Sequence, residues 1–115
     1  MSSPGLDMKT SALQAVAAAV GRGDLPGAAN EANAAIRKGL QHPVFFNARA
    51  LLFQEQGRHP EALAEYEKAL ELSPNDVVLL NAIGLSYVRC ERFTDGISAL
   101  DRSLKIMPHA ATYFR

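Results

Sequence analysis

Apolar positions recur along this chain at helical spacing, in pairs of segments separated by short breaks. The last pair carries one face of Leu79, Leu80, Ile83, Gly84, Tyr87 and Val88, then a break at residues 90–93, then a second face of Ile97, Leu100, Leu104 and Ile106. Spacing of three and four residues predicts amphipathic helices. The same pattern predicts six helices, over residues 9–21, 25–38, 43–56, 60–72, 76–90 and 93–106. The predicted fold class is therefore all-α.

The pattern repeats every 34 residues without a gap. Shifted by that period, Ala35 falls on Ala69 and Ser103, and Ile36 falls on Leu70 and Leu104. The registers are residues 9–42, 43–76 and 77–110. A helix pair of this length cannot bury its apolar face alone, so we expect successive pairs to stack.

Small residues recur at fixed offsets within each register. They are Ala50 and Gly84 in the first helices, and Ala62, Gly96, Ala69 and Ser103 in the second helices. Two antiparallel helices approach closely only where one offers such a residue to a larger side chain of the other. Residues that typically start or end helices agree with the predicted bounds. Asp24 is a candidate N-cap, Pro26 and Pro60 lie in first turns, and Gly57 follows a helix end.

This combination resembles the tetratricopeptide repeat. The second register matches through Phe46, Ala50, Phe53, Gly57, Ala62, Tyr66, Ala69 and Pro74, and the third through Leu80, Ile83, Gly84, Tyr87, Gly96, Leu100 and Pro108. The resemblance implies a right-handed α-solenoid of three helix-turn-helix repeats over residues 9–110. Residues 1–8 are then a flexible N-terminal segment, and residues 111–115 the truncated start of a further helix, with Phe114 continuing the series Ala12, Phe46, Leu80.

The resemblance has departures. The first register departs from larger or more typical residues at Ala12, Ala15, Val16, Ala19 and Ala32, and it has Leu40 where Pro is expected. Arg49 occupies a position where an aliphatic residue is expected. Either its stem packs while its charged head reaches solvent, or the local register differs from the one given above.

Composition and charge exclude several classes of partner. Lys plus Arg and Asp plus Glu number 12 each, so the neutral chain offers no electrostatic argument for nucleic acid or an anionic membrane. Cys90 is the single cysteine, which precludes an intrachain disulfide and fits a reducing, cytoplasmic location. We expect no nucleic-acid and no membrane partner.

The residues suggest no catalysis, metal or cofactor. His42, His59 and His109 fall at helix junctions, without the spacing of metal ligands, and are expected to be solvated. Glu61, Glu65, Glu67 and Glu71 are expected to form a solvent-exposed helix face, with Glu65 and Lys68 as a surface pair. The chain is therefore predicted not to be an enzyme.

A binding function has more support. In the family that the chain resembles, the first helices of the repeats line a concave groove that binds a peptide or a partner helix. The corresponding residues here are Leu13, Ala17, Val20, Asn47, Leu51, Gln54, Asn81, Leu85, Val88 and Arg89, together with Glu55 and Val78. Asn47 and Asn81 are equivalent, and their amides could hold the main chain of an extended peptide. Alternatively, both amides bond neighbouring helices.

Two other functions remain open. The third repeat could mediate self-association through Leu100, Leu104, Ile106 and Phe114. The array could instead position a substrate for a catalytic domain beyond the end of this chain. One partner class is argued against: the positions at which some family members clamp the acidic C-terminal tails of chaperones are all apolar here, at Leu13, Ala17, Ala48, Val78 and Ala82.

Overall fold

The computed structural model describes residues 4–107, with side chains described from residue 7 onward. This part of the chain is six α-helices: α1 (Pro4–Gly21), α2 (Leu25–Arg37), α3 (Pro43–Glu55), α4 (His59–Leu72), α5 (Val77–Arg89) and α6 (Phe93–Ile106). The all-α prediction is confirmed. Five helices begin and end within one residue of the predicted bounds, whereas α1 begins at Pro4 rather than at residue 9.

The starts of α2, α3 and α5 are capped by side chains that accept hydrogen bonds from free backbone N–H groups. The Asp24 Oδ1 atom accepts from the Gly27 N–H at 2.9 Å, which confirms the predicted cap of α2. Asp76 caps α5 in the same way, at 3.2 Å from the Leu79 nitrogen. The first turn of α3 is capped by His42, whose Nδ1 atom accepts from the Val44 N–H at 3.1 Å.

His42 therefore departs from the prediction of a solvated loop residue. It is half-buried, and its ring meets the Phe45 ring edge-on at a centroid distance of 6.1 Å. Burial, with a smaller contribution from the charge of Lys9, lowers the pKa of His42 below its ordinary value. The lowered pKa favours the neutral ring, which is the form that can accept the capping hydrogen bond. His59, the first residue of α4, is also half-buried, and His109 lies outside the described residues.

Close packing within a repeat depends on the small residues, as predicted. All six of them are buried. A β-carbon on Gly96 would lie 3.0 Å from the Gly84 carbonyl oxygen and 3.0 Å from the Val88 Cγ2 atom. One on Gly84 would lie 2.8 Å from the Leu100 side chain. The two glycines thus set the distance of closest approach between α5 and α6.

The repeats stack through two hydrophobic clusters. The first contains Val16, Ala19, Ala28, Ala32, Ala35, Phe45 and Ala48. The second contains Ala50, Ala62, Leu63, Tyr66, Ala69, Leu79, Ile83 and Ala99. Helix α3 contributes to both, because Phe45 and Ala48 face the first repeat whereas Ala50 faces α4. Each repeat therefore completes the core of its neighbour, as a solenoid requires.

Helix α1 contacts α3, and side chains of α3 and α5 line one cavity, so we call the side of the array that these first helices share the inner side. Helix α3 packs on α2 and on α1, and α5 packs on α4. Within residues 4–107 the backbones of α2, α4 and α6 do not approach one another closely, and neither do those of α3 and α5.

A single charged pair interrupts the core of the second repeat. The Arg49 Nη2 atom lies 3.0 Å from Glu65 Oε1, and Lys68 Nζ lies 3.3 Å from the same oxygen. Glu65 is 4% exposed, so its assignment to a solvent face was wrong. The Arg49 guanidinium reaches across to α4 and pairs with a carboxylate that would otherwise be buried alone.

The turn inside each repeat needs a left-handed residue at the same offset. Gly23 and Gly57 both have φ of 74°, and the third repeat has Glu91 there with φ of 61°. Glycine adopts this conformation without a steric penalty, whereas a residue with a β-carbon does not. The third turn is therefore the strained member of the set.

Candidate functional site: the inner surface of the array

A cavity of about 310 Å³ lies between the N-terminal ends of α3 and α5 on the inner side. Its walls are formed by His42, Pro43, Val44, Asn47, Asp76, Val78 and Leu79. Val78 is 75% exposed at its mouth, a high value for a valine. The cavity is apolar on most sides and has one amide and one carboxylate, a combination suited to anchoring an apolar side chain next to a peptide backbone.

Asn47 and Asn81 occupy different surroundings despite their equivalent positions. Asn47 is half-buried and lines the cavity, whereas Asn81 is exposed and does not. Within residues 7–107, neither side-chain amide forms a hydrogen bond with the protein. The alternative in which both amides tie neighbouring helices together is therefore not what the described residues show, and both amides are available to a ligand.

The C-terminal half of α5 adds exposed apolar surface to the same side. Leu85 is 51% exposed and Val88 is 38% exposed, and Arg89 lies next to them in solvent. Val88 also packs towards α6, since one of its methyl groups approaches Gly96. After Val78, Leu85 is thus the apolar residue of α5 that is most available for contact.

The predicted residues of the first two repeats contribute less. On α1, Ala17 and Val20 are exposed, but Leu13 is half-buried and packs against the first cluster. Leu51 on α3 is half-buried. The accessible apolar surface is therefore concentrated on α5.

Gln54 serves the fold more than the surface. Its Oε1 atom accepts a hydrogen bond from the Tyr66 hydroxyl at 3.2 Å. Tyr66 is 2% exposed, and burial raises the pKa of its phenol above the ordinary value, with the charge of Arg89 acting in the opposite direction. Because a buried hydroxyl needs a partner, Gln54 is committed to Tyr66 rather than to a ligand.

Sequence reasoning missed part of the cavity. Pro43 and Val44 form one wall, and the signal that could have identified Val44 is its position 34 residues before Val78. His42 was treated as a loop residue, although a cap of α3 necessarily lies at the same end of the groove. The missed residues are those at the start of the helix, where an amphipathic pattern has too few residues to be read.

The residues predicted for self-association lie on α6, away from the inner surface. Leu104 is 44% exposed, Ile106 is 40% exposed and Leu100 is half-buried, whereas Phe114 lies outside the described residues. Two residues of the same helix that were not predicted are more exposed still: Ile97 at 60% and Phe93 at 56%. Helix α6 therefore presents a second apolar surface, distinct from the groove.

Two features bear on other classes of function. In the described part of the chain, no group of three or more His, Cys, Asp or Glu side chains is arranged to hold a metal ion. No helix formed by these residues has the length and hydropathy needed to span a bilayer.

Comparison with known proteins agrees with the helical geometry. Residues 50–89 match the family model described as TPR repeat. Together with six helices in three stacked pairs, this match supports the resemblance to the tetratricopeptide repeat. Tetratricopeptide repeats generally mediate protein–protein interaction, and this fold is typical of non-catalytic interaction modules.

Two other proteins are similar to this chain. The chain is 29% identical, over 72 residues, to anaphase-promoting complex subunit 3 of Schizosaccharomyces pombe; the match covers 63% of this chain and 11% of that subunit. The crystal structure of MamA protein has a similar fold, with a TM-score of 0.71 at 18% identity, over 93% of this chain and 58% of that one. The chain thus spans a small part of the first relative and somewhat over half of the second.

Proposed function

We propose that the chain binds a protein partner by holding an extended peptide segment, or one face of a helix, against the inner surface of α3 and α5. The observation that carries the proposal is the cavity beside Asn47 and Val78. An apolar side chain of the partner would enter it, and the Asn47 amide at its edge would bond the partner's main chain. Leu85, further along α5, would supply a second apolar contact.

Affinity would come from a few contacts rather than from the whole groove. Val78 and Leu85 bury apolar surface that the free protein leaves in water, which contributes about 25 cal/mol per Å² removed from solvent. The two free amides add directional bonds that do not depend on the side chains of the peptide. Gln54 and Leu13 lie outside the proposed contact, because both are engaged within the fold.

The test begins with a random peptide library displayed on phage and selected against the folded chain. Fluorescence anisotropy then measures the affinity of each selected peptide for the wild type, for Val78→Glu, for Leu85→Glu and for the double variant Asn47→Ala with Asn81→Ala. We expect each variant to weaken binding at least tenfold, since each removes an apolar contact or a main-chain bond at the groove.

The matched control is Leu72→Glu. Leu72 is 42% exposed on α4, outside the groove, so the substitution makes the same chemical change at a similar exposure. Affinity should be unchanged in this variant. Selected peptides that bind all four variants as tightly as the wild type would refute the proposal, because they would then bind elsewhere.

The specificity of the groove can also be tested. An acidic chaperone tail ending in a free carboxylate should show no measurable binding in calorimetry. Of the five aligned clamp positions, Ala48 is fully buried and Val78 is an exposed valine, and none carries a cation. Micromolar binding of that tail would contradict this expectation.

A further inference from the structure

The two ends of the array carry the two halves of the contact that stacks one repeat on the next. Inside the chain, Leu70 of α4 lines a cavity of about 220 Å³ in the third repeat, together with Leu80, Ile83 and Ala99. Leu70 also packs against the second hydrophobic cluster. This contact is one of the joints by which the second repeat holds the third.

The residue equivalent to Leu70 in the last repeat is Leu104, which is 44% exposed. The same comparison holds along the helix. Leu63 is 5% exposed beneath the following repeat, whereas its equivalent, Ile97, is 60% exposed. Helix α6 thus carries the apolar residues of an inter-repeat joint, and no other described helix covers them. We call this surface, formed by Ile97, Leu100 and Leu104, the C-terminal face.

The opposite end carries the other half of the same joint. The residues equivalent to Leu80, Ile83, Ala99 and Arg102 in the first repeat are Ala12, Ala15, Glu31 and Ala34. All four line an open crevice of about 430 Å³ between α1 and α2. This crevice, the N-terminal face, has a larger volume than its internal counterpart; alanines stand in place of Leu80, Ile83 and Arg102, whereas the larger Glu31 stands in place of Ala99.

We infer that a second copy of this chain docks head to tail, with the C-terminal face of one copy in the N-terminal face of the next. Leu104 would pack beside Ala12 and Ala15 at the crevice, as Leu70 lies beside Leu80 and Ile83 at the edge of its cavity. The chain supplies both halves of the joint at equivalent positions, which is why the occupant is a copy of itself. The contact is heterologous, so each copy keeps one free face and the assembly can continue beyond a dimer.

Association is expected to be weak and dependent on concentration. Inside the chain the two halves of the joint are covalently tethered, whereas two separate copies must also give up translational and rotational freedom. Sedimentation equilibrium over a concentration series measures this self-association directly. The average mass should rise above the 12.4 kDa of one chain as concentration increases.

Two single variants remove one face each. Leu104→Glu places a charge on the C-terminal face, and Ala15→Glu places one inside the crevice. Each variant alone should sediment as a monomer at every concentration. Mixed together, they should form a complex of twice the monomer mass and no larger, because one variant retains an intact C-terminal face and the other an intact crevice.

The matched controls are Leu85→Glu and Ala17→Glu, which make the same changes at exposed positions on the groove side of α5 and α1. Both should associate as the wild type does. Circular dichroism establishes that each variant is folded, and Ile97→Lys replaces Leu104→Glu if the latter is not.

Three results would overturn the inference. The wild type could remain at 12.4 kDa throughout. Ala15→Glu could associate normally while Leu104→Glu does not, which would mean that two C-terminal faces pair with each other. Loss of association in Leu85→Glu would place the contact in the groove. Since peptide binding is expected to be lost in Leu85→Glu and kept in Leu104→Glu, this inference and the proposed function can fail independently.

Discussion

The left-handed residue in the third turn gives a prediction whose sign and size follow from backbone geometry. Glu91 has φ of 61°, at the offset where the other two repeats have glycine. A left-handed conformation costs a residue with a β-carbon roughly 1–2 kcal/mol. Glycine removes that cost but has more freedom in the unfolded chain, which offsets about 0.5–1 kcal/mol. The substitution Glu91→Gly should therefore stabilise the protein by about 0.5–1 kcal/mol.

Chemical and thermal unfolding, followed by circular dichroism, provide the assay. For a chain of this size the expected gain corresponds to a rise in Tm of about 2–5 °C. Glu91→Gln separates charge from conformation, because it neutralises the side chain but keeps the β-carbon. Its stability should stay within about 0.5 kcal/mol of the wild type, as is usual for an exposed site, and should not rise as it does in Glu91→Gly.

The reverse substitution is available in the same chain. Gly57→Ala, at φ of 74°, should destabilise by about 1 kcal/mol although a β-carbon there would meet no atom within 4 Å. Gly21→Ala is its control, since Gly21 also has open space around it but ends α1 without a positive φ. Alanine is favoured in a helix, so this variant should not lose stability. If Glu91→Gly fails to raise the unfolding midpoint, the attribution of strain to φ is refuted.

Three further predictions concern the core, the helix crossing and a cap. Arg49→Ile should destabilise the protein by about 1–3 kcal/mol, because the buried Glu65 carboxylate loses its closest cation. Adding Glu65→Ala should restore stability, and urea unfolding of both variants measures the two effects. Wild-type stability in Arg49→Ile alone would contradict this prediction. Gly96→Leu should lower Tm although leucine has the better helix propensity, because its β-carbon would meet the Gly84 carbonyl oxygen. An unchanged Tm would mean that α5 and α6 can move apart without loss of stability. Because the folded-state pKa of His42 is lowered, its cap contributes stability above the ordinary value of 6.5 that is lost as pH falls through the folded pKa. Urea midpoints between pH 7.5 and 5 should therefore fall more in the wild type than in His42→Asn, and equal slopes would count against the cap.

Much of the fold could be predicted from the chain because the relevant signals are local and repeated. Five helices were located within one residue by apolar spacing, and the 34-residue period fixed which small residues meet. Gly84 and Gly96 belong to one α5–α6 crossing, and Ala50 and Ala62 to its equivalent in the second repeat. Their roles are legible in sequence because each offset is seen more than once.

The candidate site was less predictable, because exposure depends on residues far apart in sequence. Asn47 and Asn81 look equivalent in the repeat, yet one lines a cavity and the other lies in solvent. Gln54 has the position of a groove residue but is engaged by the Tyr66 hydroxyl of the next helix. Position in the repeat predicts which side of the array a residue faces, whereas the neighbouring side chains determine whether that residue is available to a ligand.

The sequence by itself thus determined the helices, their pairing and the repeat positions at which the paired helices contact each other. These follow from the 34-residue period, which is visible in every repeat. Only the tertiary structure decided that Glu65 is buried, because its partner Arg49 lies 16 residues away on another helix. The same holds for the ends of the array: Ile97 and Leu63 occupy equivalent positions, and their exposure differs because one of them has a following repeat packed over it. Burial is a property of what packs against a residue, and a local pattern cannot contain it.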